Sequence, residues 1–307
     1  MTEHQFHQAR RIAVAGMVIS GLLAVMKLLV GWFASSAALR ADGFESAADV
    51  LASGLVYVGL TIASIPPDEN HPYGHGRVET LTGLLLGFLL LTAGVLIAWH
   101  GIAGAGDVIK PPQSYAIWPL AISIVVKCGM MWIKFRHAKL LGSSSLLADA
   151  ANDAIDMLSG AVALCAILVT LHDPVRFLRA DHYGAFAVGL IVIATGIRII
   201  RETSFHLIDT MPDDDFVRKI RAVAMSVQEV RGVEKCRARK TGLRYHVDLH
   251  LEVDASISVQ EAHDIAGHVR VKIRAELPWV EDVLIHIEPF PGITEGGAME
   301  QHWNGIR

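Results

Sequence analysis

Hydrophobic residues gather along this chain into six long runs, at roughly 12–36, 41–65, 79–104, 116–136, 146–171 and 183–203. An α-helix needs about 20 apolar residues to cross the hydrocarbon layer of a bilayer, so each run predicts a membrane-spanning helix. After His206 the pattern changes to alternating charge and short periodic segments, and a water-exposed unit is expected to begin near Met211 or Pro212. Within it, Asp213 to Val230 has the spacing of an amphipathic helix, while Lys235–Thr241 and Leu243–Val253 alternate with period two, as the strands of a hairpin do. Ser258 and Glu261 form a capping-box sequence that opens a second helix ending near Leu277, and Asp282–Glu288 closes the unit as a third strand. The predicted architecture is an α-helical membrane protein of six spans over residues 1–211, a small ferredoxin-like α+β domain of order αββαβ over 212–290, and a mobile tail over 291–307.

Composition agrees with a membrane protein: 52% of the residues are hydrophobic and 19% are charged. A formal net charge of -4 without a long Lys or Arg run leaves no electrostatic footprint for nucleic acid. Cys128, Cys165 and Cys236 are scattered and form no CxxC pair, so they point to packing rather than to a disulfide framework or a thiolate zinc site. The opening MTEHQFHQARR is too polar for a cleaved signal peptide, and the first helix is expected to stay in the mature protein. Arg10, Arg11, Arg77, Lys134, Arg136, Lys139, Arg198 and Arg201 fall on one side of a six-span topology, against Arg40, Lys110, Arg176 and Arg179 on the other. This bias predicts a multi-pass protein of the cytoplasmic membrane with both termini and the soluble domain in the cytoplasm.

Two of the runs are interrupted in the same way. An offset of 107 residues lays Ser-Ala-Ala-Leu-Arg-Ala-Asp (36–42) on Ser-Ser-Ser-Leu-Leu-Ala-Asp (143–149), and Asp42, Glu45, Ser46 and Asp49 then fall opposite Asp149, Asn152, Asp153 and Asp156. Spacings of three and four keep each set on one helical face. With three spans per half, the second half enters the membrane from the other side, giving the inverted three-helix pseudo-repeat common among secondary transporters. At about 1.5 Å per residue, Asp49 and Asp156 lie roughly halfway through a ~30 Å layer, so Glu45, Asp49, Asn152 and Asp156 are expected to converge. Ionised carboxylates there cost about 2.5–3.5 kcal/mol each on insertion scales and call for a cation, a shared proton or water. The plainer reading, helix-to-helix hydrogen bonding, suits one such residue better than two matched sets. Lys27 and Lys127 also lie deep in apolar runs, with no partner assignable from the sequence, whereas His100 is expected to snorkel from a helix end.

Two further groups lie outside the runs. Asp68, His71 and His75 can gather three ligands on one turn, although Pro66, Pro67, Pro72 and Gly74 already account for a rigid loop. His246, Asp248, His250 and Glu252 share one face of their strand, and His286 and Glu288 likewise point away from Val283, Ile285 and Ile287. That face offers histidines and acids, with His263 as a further candidate, though alternation alone also predicts polar residues outside.

Glu45-x-x-x-Asp49 and Asn152-x-x-x-Asp156, the segment Pro-Pro-Asp-Glu-Asn-His-Pro-Tyr-Gly-His-Gly-Arg at 66–77 and the join Leu-Ile-Asp-Thr-Met-Pro-Asp at 207–213 resemble the cation diffusion facilitator family over nearly the whole chain. The resemblance implies a homodimeric divalent-metal/proton antiporter rather than an enzyme, with metal ions and protons as substrates and no cofactor. It implies a central metal site of Glu45, Asp49, Asn152 and Asp156, and a peripheral one of Asp68, His71 and His75. It also implies an Arg77–Asp209 pair, and regulatory metal at the dimer contact on Glu234, His250, His263, His286 and Glu288. Familiar zinc exporters place His or Asp where Glu45 stands and His where Asn152 stands, and some relatives have His in place of Glu234. An oxygen-only central set favours Mn²⁺ or Fe²⁺ over Zn²⁺, and without an imidazole proton exchange falls to Glu45 or Asp49. Two other classes fit less well. An intramembrane aspartyl protease lacks its Gly-x-Gly-Asp context here, and a metal sensor or scaffold that binds without transport is separated by uptake into sealed vesicles.

Overall fold

A computed structural model describes residues 3–104, 111–141, 144–242 and 244–290, with side chains over 14–59, 61–103, 111–137, 150–242 and 244–290. The expected mobile tail and the side chains of Arg10, Arg11, Lys110, Lys139 and Asp149 lie outside the described residues. Among the described residues, six helices are long and apolar enough to cross a membrane: α1 (Glu3–Phe33), α2 (Ala37–Ala63), α3 (Arg77–Gly104), α4 (Ile117–Leu141), α5 (Ser144–His172) and α6 (Ala180–Leu207). Leu22, Leu51 and Val125 are each about two-thirds or more exposed, an apolar surface of the kind that lipid covers.

Packing among these helices relies on small residues. Gly87, Gly94 and Gly101 on α3 and Gly189 and Gly196 on α6 recur every seventh residue. A Cβ on Gly94 would stand 2.7 Å from the Ile193 nitrogen, and one on Gly189 would stand 2.6 Å from that of Ala98. The two backbones therefore touch, which maximises dispersion contact where no hydrophobic effect drives helices together.

The chain divides into two compact units, Met1–Thr61 with Leu81–Thr203, and Ile62–Thr80 with Ser204–Arg307. The second unit holds α7 (Asp214–Met225), β1 (Gly232–Thr241), β2 (Arg244–Val253), α8 (Val259–Glu276) and β3 (Val280–Pro289). The sheet order is β1-β2-β3, antiparallel between β1 and β2 and parallel between β2 and β3. Ile220 and Ala224 of α7 and Val269 and Ile273 of α8 pack on Val247, Leu249, Leu251 and Val283, so both helices cover one face. The capping box is formed: Glu261 N donates to Ser258 Oγ at 3.2 Å, and Ser258 N to Glu261 Oε2 at 2.8 Å. α7 stops at Met225 instead of continuing to Val230. The chain turns at Ser226, and the turn delivers Val230 to the core.

Candidate metal sites

Asp42 and Glu45 on α2 and Asp153 and Asp156 on α5 are buried, and Asp49 is half-buried. The helices meet closely, since a Cβ on Gly160 of α5 would lie 3.5 Å from Asp42 Oδ1. Glu45 lies within the fields of Asp42, Asp156 and Asp49, while the Asp49 and Asp156 carboxyls meet. Among the described residues, Glu45 Oε2 and Asp49 Oδ2 are buried and receive no hydrogen bond. Buried carboxylate oxygens without donors are what a cation would complete.

The expected four-residue convergence is incomplete. Among the described residues, two groups of three or more His, Cys, Asp or Glu bring their ligand atoms within 4.8 Å of one another, and neither is this one. Asn152 is half-buried, and no described hydrogen bond joins it to the acids. Lysines explain the looser arrangement. Lys27 Nζ reaches Asp42 Oδ2 at 2.6 Å and Ser46 Oγ at 3.0 Å. Lys127 Nζ bridges Asp153 Oδ1, at 3.1 Å, and Asp156 Oδ2, while Lys134 Nζ holds Asp153 Oδ2 at 2.6 Å. Lys134 is only 3% exposed, so it leaves the set of flanking basic residues used to orient the chain. A signal for it was present: the 107-residue offset that pairs the acids also lays Lys27 on Lys134.

A buried acid on α6, which the sequence pattern did not single out, anchors the start of α2. Asp181 Oδ1 accepts from Ser36 Oγ at 2.7 Å and from Ala38 N at 3.3 Å, and its Oδ2 accepts from Ala37 N at 2.5 Å. A carboxylate there satisfies free N–H groups and complements the helix dipole. This cap accounts for α2 opening at Ala37, before the apolar run predicted from residue 41. His100 is exposed and bonds the Leu96 carbonyl of its own helix at 2.8 Å.

In the loop after α2, Asp68, His71 and His75 form one of the two closed groups. Asp68 Oδ1 accepts from His71 N at 2.6 Å and from Asn70 N at 2.9 Å and lies 3.0 Å from His71 Nδ1, while Oδ2 lies 3.5 Å from His75 Nε2. The backbone hydrogen bond from His71 is the main cause holding the Asp68 carboxyl below the usual carboxylate range. Gly74 takes φ of +77°, the left-handed turn that folds His75 back over the group. The following Gly76 abuts the β1–β2 turn, where a Cβ would stand 2.8 Å from the Thr241 carbonyl oxygen. Arg77 Nη2 donates to Asp209 Oδ1 at 3.1 Å, a pair about half exposed.

His250, His286 and Glu288 form the second closed group, on the sheet face opposite the helices. Parallel register sets His250 beside His286, with ring centroids 5.0 Å apart, and His250 Nδ1 lies 2.5 Å from Glu288 Oε1. Glu234 joins through a bulge. Strict alternation from the buried Cys236 and Ala238 would turn Glu234 inward, but the register shift between Val233 and Cys236 leaves both Glu234 and Lys235 outside. Its Oε2 comes within 3.7 Å of His250 Nδ1. His263 does not join. It is exposed on α8, which packs on the other side of the sheet. Cysteine adds no ligand to these groups, and burial pushes the Cys236 thiol up, further from the thiolate.

Residues 13–208 match the family model described as the cation efflux transmembrane domain. The chain belongs to the cation diffusion facilitator family. Residues 212–290 of the transporter match the model described as the cation efflux protein, cytoplasmic domain. The transporter is 31% identical over 298 residues to metal tolerance protein C1 of Arabidopsis thaliana, covering 92% of this chain and 63%, under two thirds, of that one. It is 28% identical over 286 residues to the manganese efflux system protein MneP of Bacillus subtilis, covering 92% and 96% of the two chains. With the manganese efflux system protein MneS of the same organism it shares 30% identity over 276 residues, covering 87% of this chain and 91% of the other.

Proposed function

We propose that this transporter exports a divalent metal cation in exchange for protons, as a homodimer in the cytoplasmic membrane with both termini in the cytoplasm. The observation that carries the reading is the pair of buried, donorless oxygens Glu45 Oε2 and Asp49 Oδ2 beside Asp156. Among the described residues, the five acids Asp42, Glu45, Asp49, Asp153 and Asp156, counted at full charge, outnumber the three ammonium groups of Lys27, Lys127 and Lys134 by two. One divalent ion cancels that deficit, and protons restore the same balance when the ion leaves. Exchange follows from the cost of an uncompensated charge in the membrane.

Glu45, Asp49 and Asp156 supply the ligands, with Asn152 one helical turn before Asp156 as the fourth. All four donors are oxygen, which suits Mn²⁺ or Fe²⁺ better than Zn²⁺. The relatives MneP and MneS, named for manganese efflux, support the same preference. Asp68, His71 and His75 form a peripheral site. Glu234, His250, His286 and Glu288 form a second one facing the partner copy, where a second chain can add His263, and Arg77 with Asp209 ties the loop to the linker.

The test is purified protein in sealed vesicles with an acidic lumen. Mn²⁺ uptake should accelerate with the proton gradient while the lumen becomes more alkaline, and Fe²⁺ should compete better than Zn²⁺. Asp49→Ala and Asp156→Ala should abolish uptake. Uptake indifferent to the gradient would remove the antiport, and wild-type rates in either variant would remove the site.

A further inference from the structure

Lys127 holds one oxygen of Asp156, a carboxylate that the proposed substrate needs. The residue is buried, 4% exposed, and its ammonium rests on Asp156, the α5 carboxylate that meets Asp49. The same ammonium also touches Asp153, whose other oxygen is held by Lys134. A divalent ion and an ammonium cannot share one carboxylate oxygen in a low-dielectric interior without strong repulsion. A buried ammonium cannot simply be left without a carboxylate either. Both conditions are met if the lysine has a second acid within reach, and Asp153 is that acid.

We propose that Lys127 is a tethered substitute cation, which occupies Asp156 when the transport site is empty and withdraws onto Asp153 as the metal arrives. The proposal rests on the reading of Asp156 as a metal ligand. It makes Lys127 a positioning residue that competes with the ion. The competition weakens metal binding at equilibrium, and the returning ammonium helps to expel the ion and shields Asp156 afterwards. Among the described ion pairs, Lys27 is joined to a single acid. Its ammonium is placed on Asp42 and Ser46, both on α2, and the proposal assigns it the part of a static counter-charge.

Isothermal titration of full-length protein with Mn²⁺ alone reads the competition, scored on the binding step that Asp49→Ala removes. Lys127→Gln should bind at least tenfold tighter than wild type and transport more slowly at saturating Mn²⁺, because release loses its competitor. A purely structural lysine would instead lower the melting temperature and leave that affinity equal or weaker, and this result overturns the proposal. Where Lys127→Gln does not fold, Lys127→Arg decides. Its broader fork holds Asp153 and Asp156 together and should weaken Mn²⁺ binding severalfold, whereas unchanged affinity overturns the proposal. If wild type shows no Asp49-dependent binding and no uptake, the transport reading itself fails. If wild type binds and transports but the variants do not move affinity in these directions, only the substitute-cation role fails.

Discussion

Replacing Asp181 by alanine tests whether the entrance of the acid-bearing helix α2 is held from α6. The carboxylate, 2% exposed, makes two short hydrogen bonds, to Ser36 Oγ at 2.7 Å and to Ala37 N at 2.5 Å, and a longer one to Ala38 N at 3.3 Å. Hydrogen bonds to a charged group contribute about 1.5–3 kcal/mol each, so the two short ones set a ceiling near 6 kcal/mol. Removing the acid also relieves the desolvation of a buried charge, which opposes that loss. The net expectation for Asp181→Ala is about 3 kcal/mol, equivalent to a melting temperature lower by roughly 6–12 °C at about 2–4 °C per kcal/mol. Asp181→Asn keeps one acceptor oxygen and should lose about half as much. Thermal melts in nanodiscs of wild type, both variants and Ser36→Ala provide the series, with Mn²⁺ uptake measured in parallel, because Asp42 and Glu45 lie only one to two turns from the cap. A melting temperature for Asp181→Ala within about 1 °C of wild type would refute the cap as an anchor.

Gly189→Leu should force α3 and α6 apart, since even a Cβ would stand 2.6 Å from the Ala98 nitrogen. The expected cost is about 1–3 kcal/mol or more, and Gly129→Leu, where a Cβ meets nothing within 4 Å, is the control. Equal melting temperatures for the two would argue against backbone contact. In the second unit, Leu251→Ala empties a fully buried position and should cost about 2–5 kcal/mol, checked by denaturant unfolding followed at Trp279, which packs against the same core. The depressed Asp68 carboxyl means that the folded loop binds a proton less readily than the unfolded chain. Its stabilising contribution is therefore complete above the ordinary carboxylate value of about 3.9 and lost as pH falls through the lower folded value. A carboxyl NMR titration with a midpoint at or above about 3.9 would contradict this. Lys235 is the extra residue of the β1 bulge, so deleting it should leave Glu234 on the outer face opposite His250, whereas Glu234→Ala should weaken metal binding at His250 and Glu288 severalfold. Metal titration in an Asp49→Ala, His75→Ala background reads the effect, and undiminished binding in Glu234→Ala would show that Glu234 is not a ligand.

Much of this protein is legible as pattern. Six apolar runs became six helices because membrane solvation depends on length and apolarity, both properties of a linear string. The αββαβ order and the Ser258 capping box were readable for a similar reason, since period-two and period-3.6 spacing and cap chemistry act within a few residues. The matched acids of α2 and α5, and the loop trio Asp68, His71 and His75, were also visible as spacing.

What tertiary structure decided is where the charges found partners. Lys27 and Lys127 were visible as buried cations and Lys134 read as a flanking one, but the acids of the three lie 15, 26 and 29, and 19 residues away, and only helix packing selects among them. Asp181 reaches Ser36 across 145 residues of chain, a separation that no local rule bridges. Glu234 was placed by a bulge that breaks alternation, and His263 was kept from the cluster by the side of the sheet on which α8 packs. The sequence by itself determined the membrane helices, the domain order and the oxygen-rich chemistry of the acids, because solvation and local spacing are properties of the string. The fold alone decided which acids pair with lysine and which buried carboxylate oxygens receive no hydrogen bond, because a charge in low dielectric takes its energy from the nearest opposite charge in space.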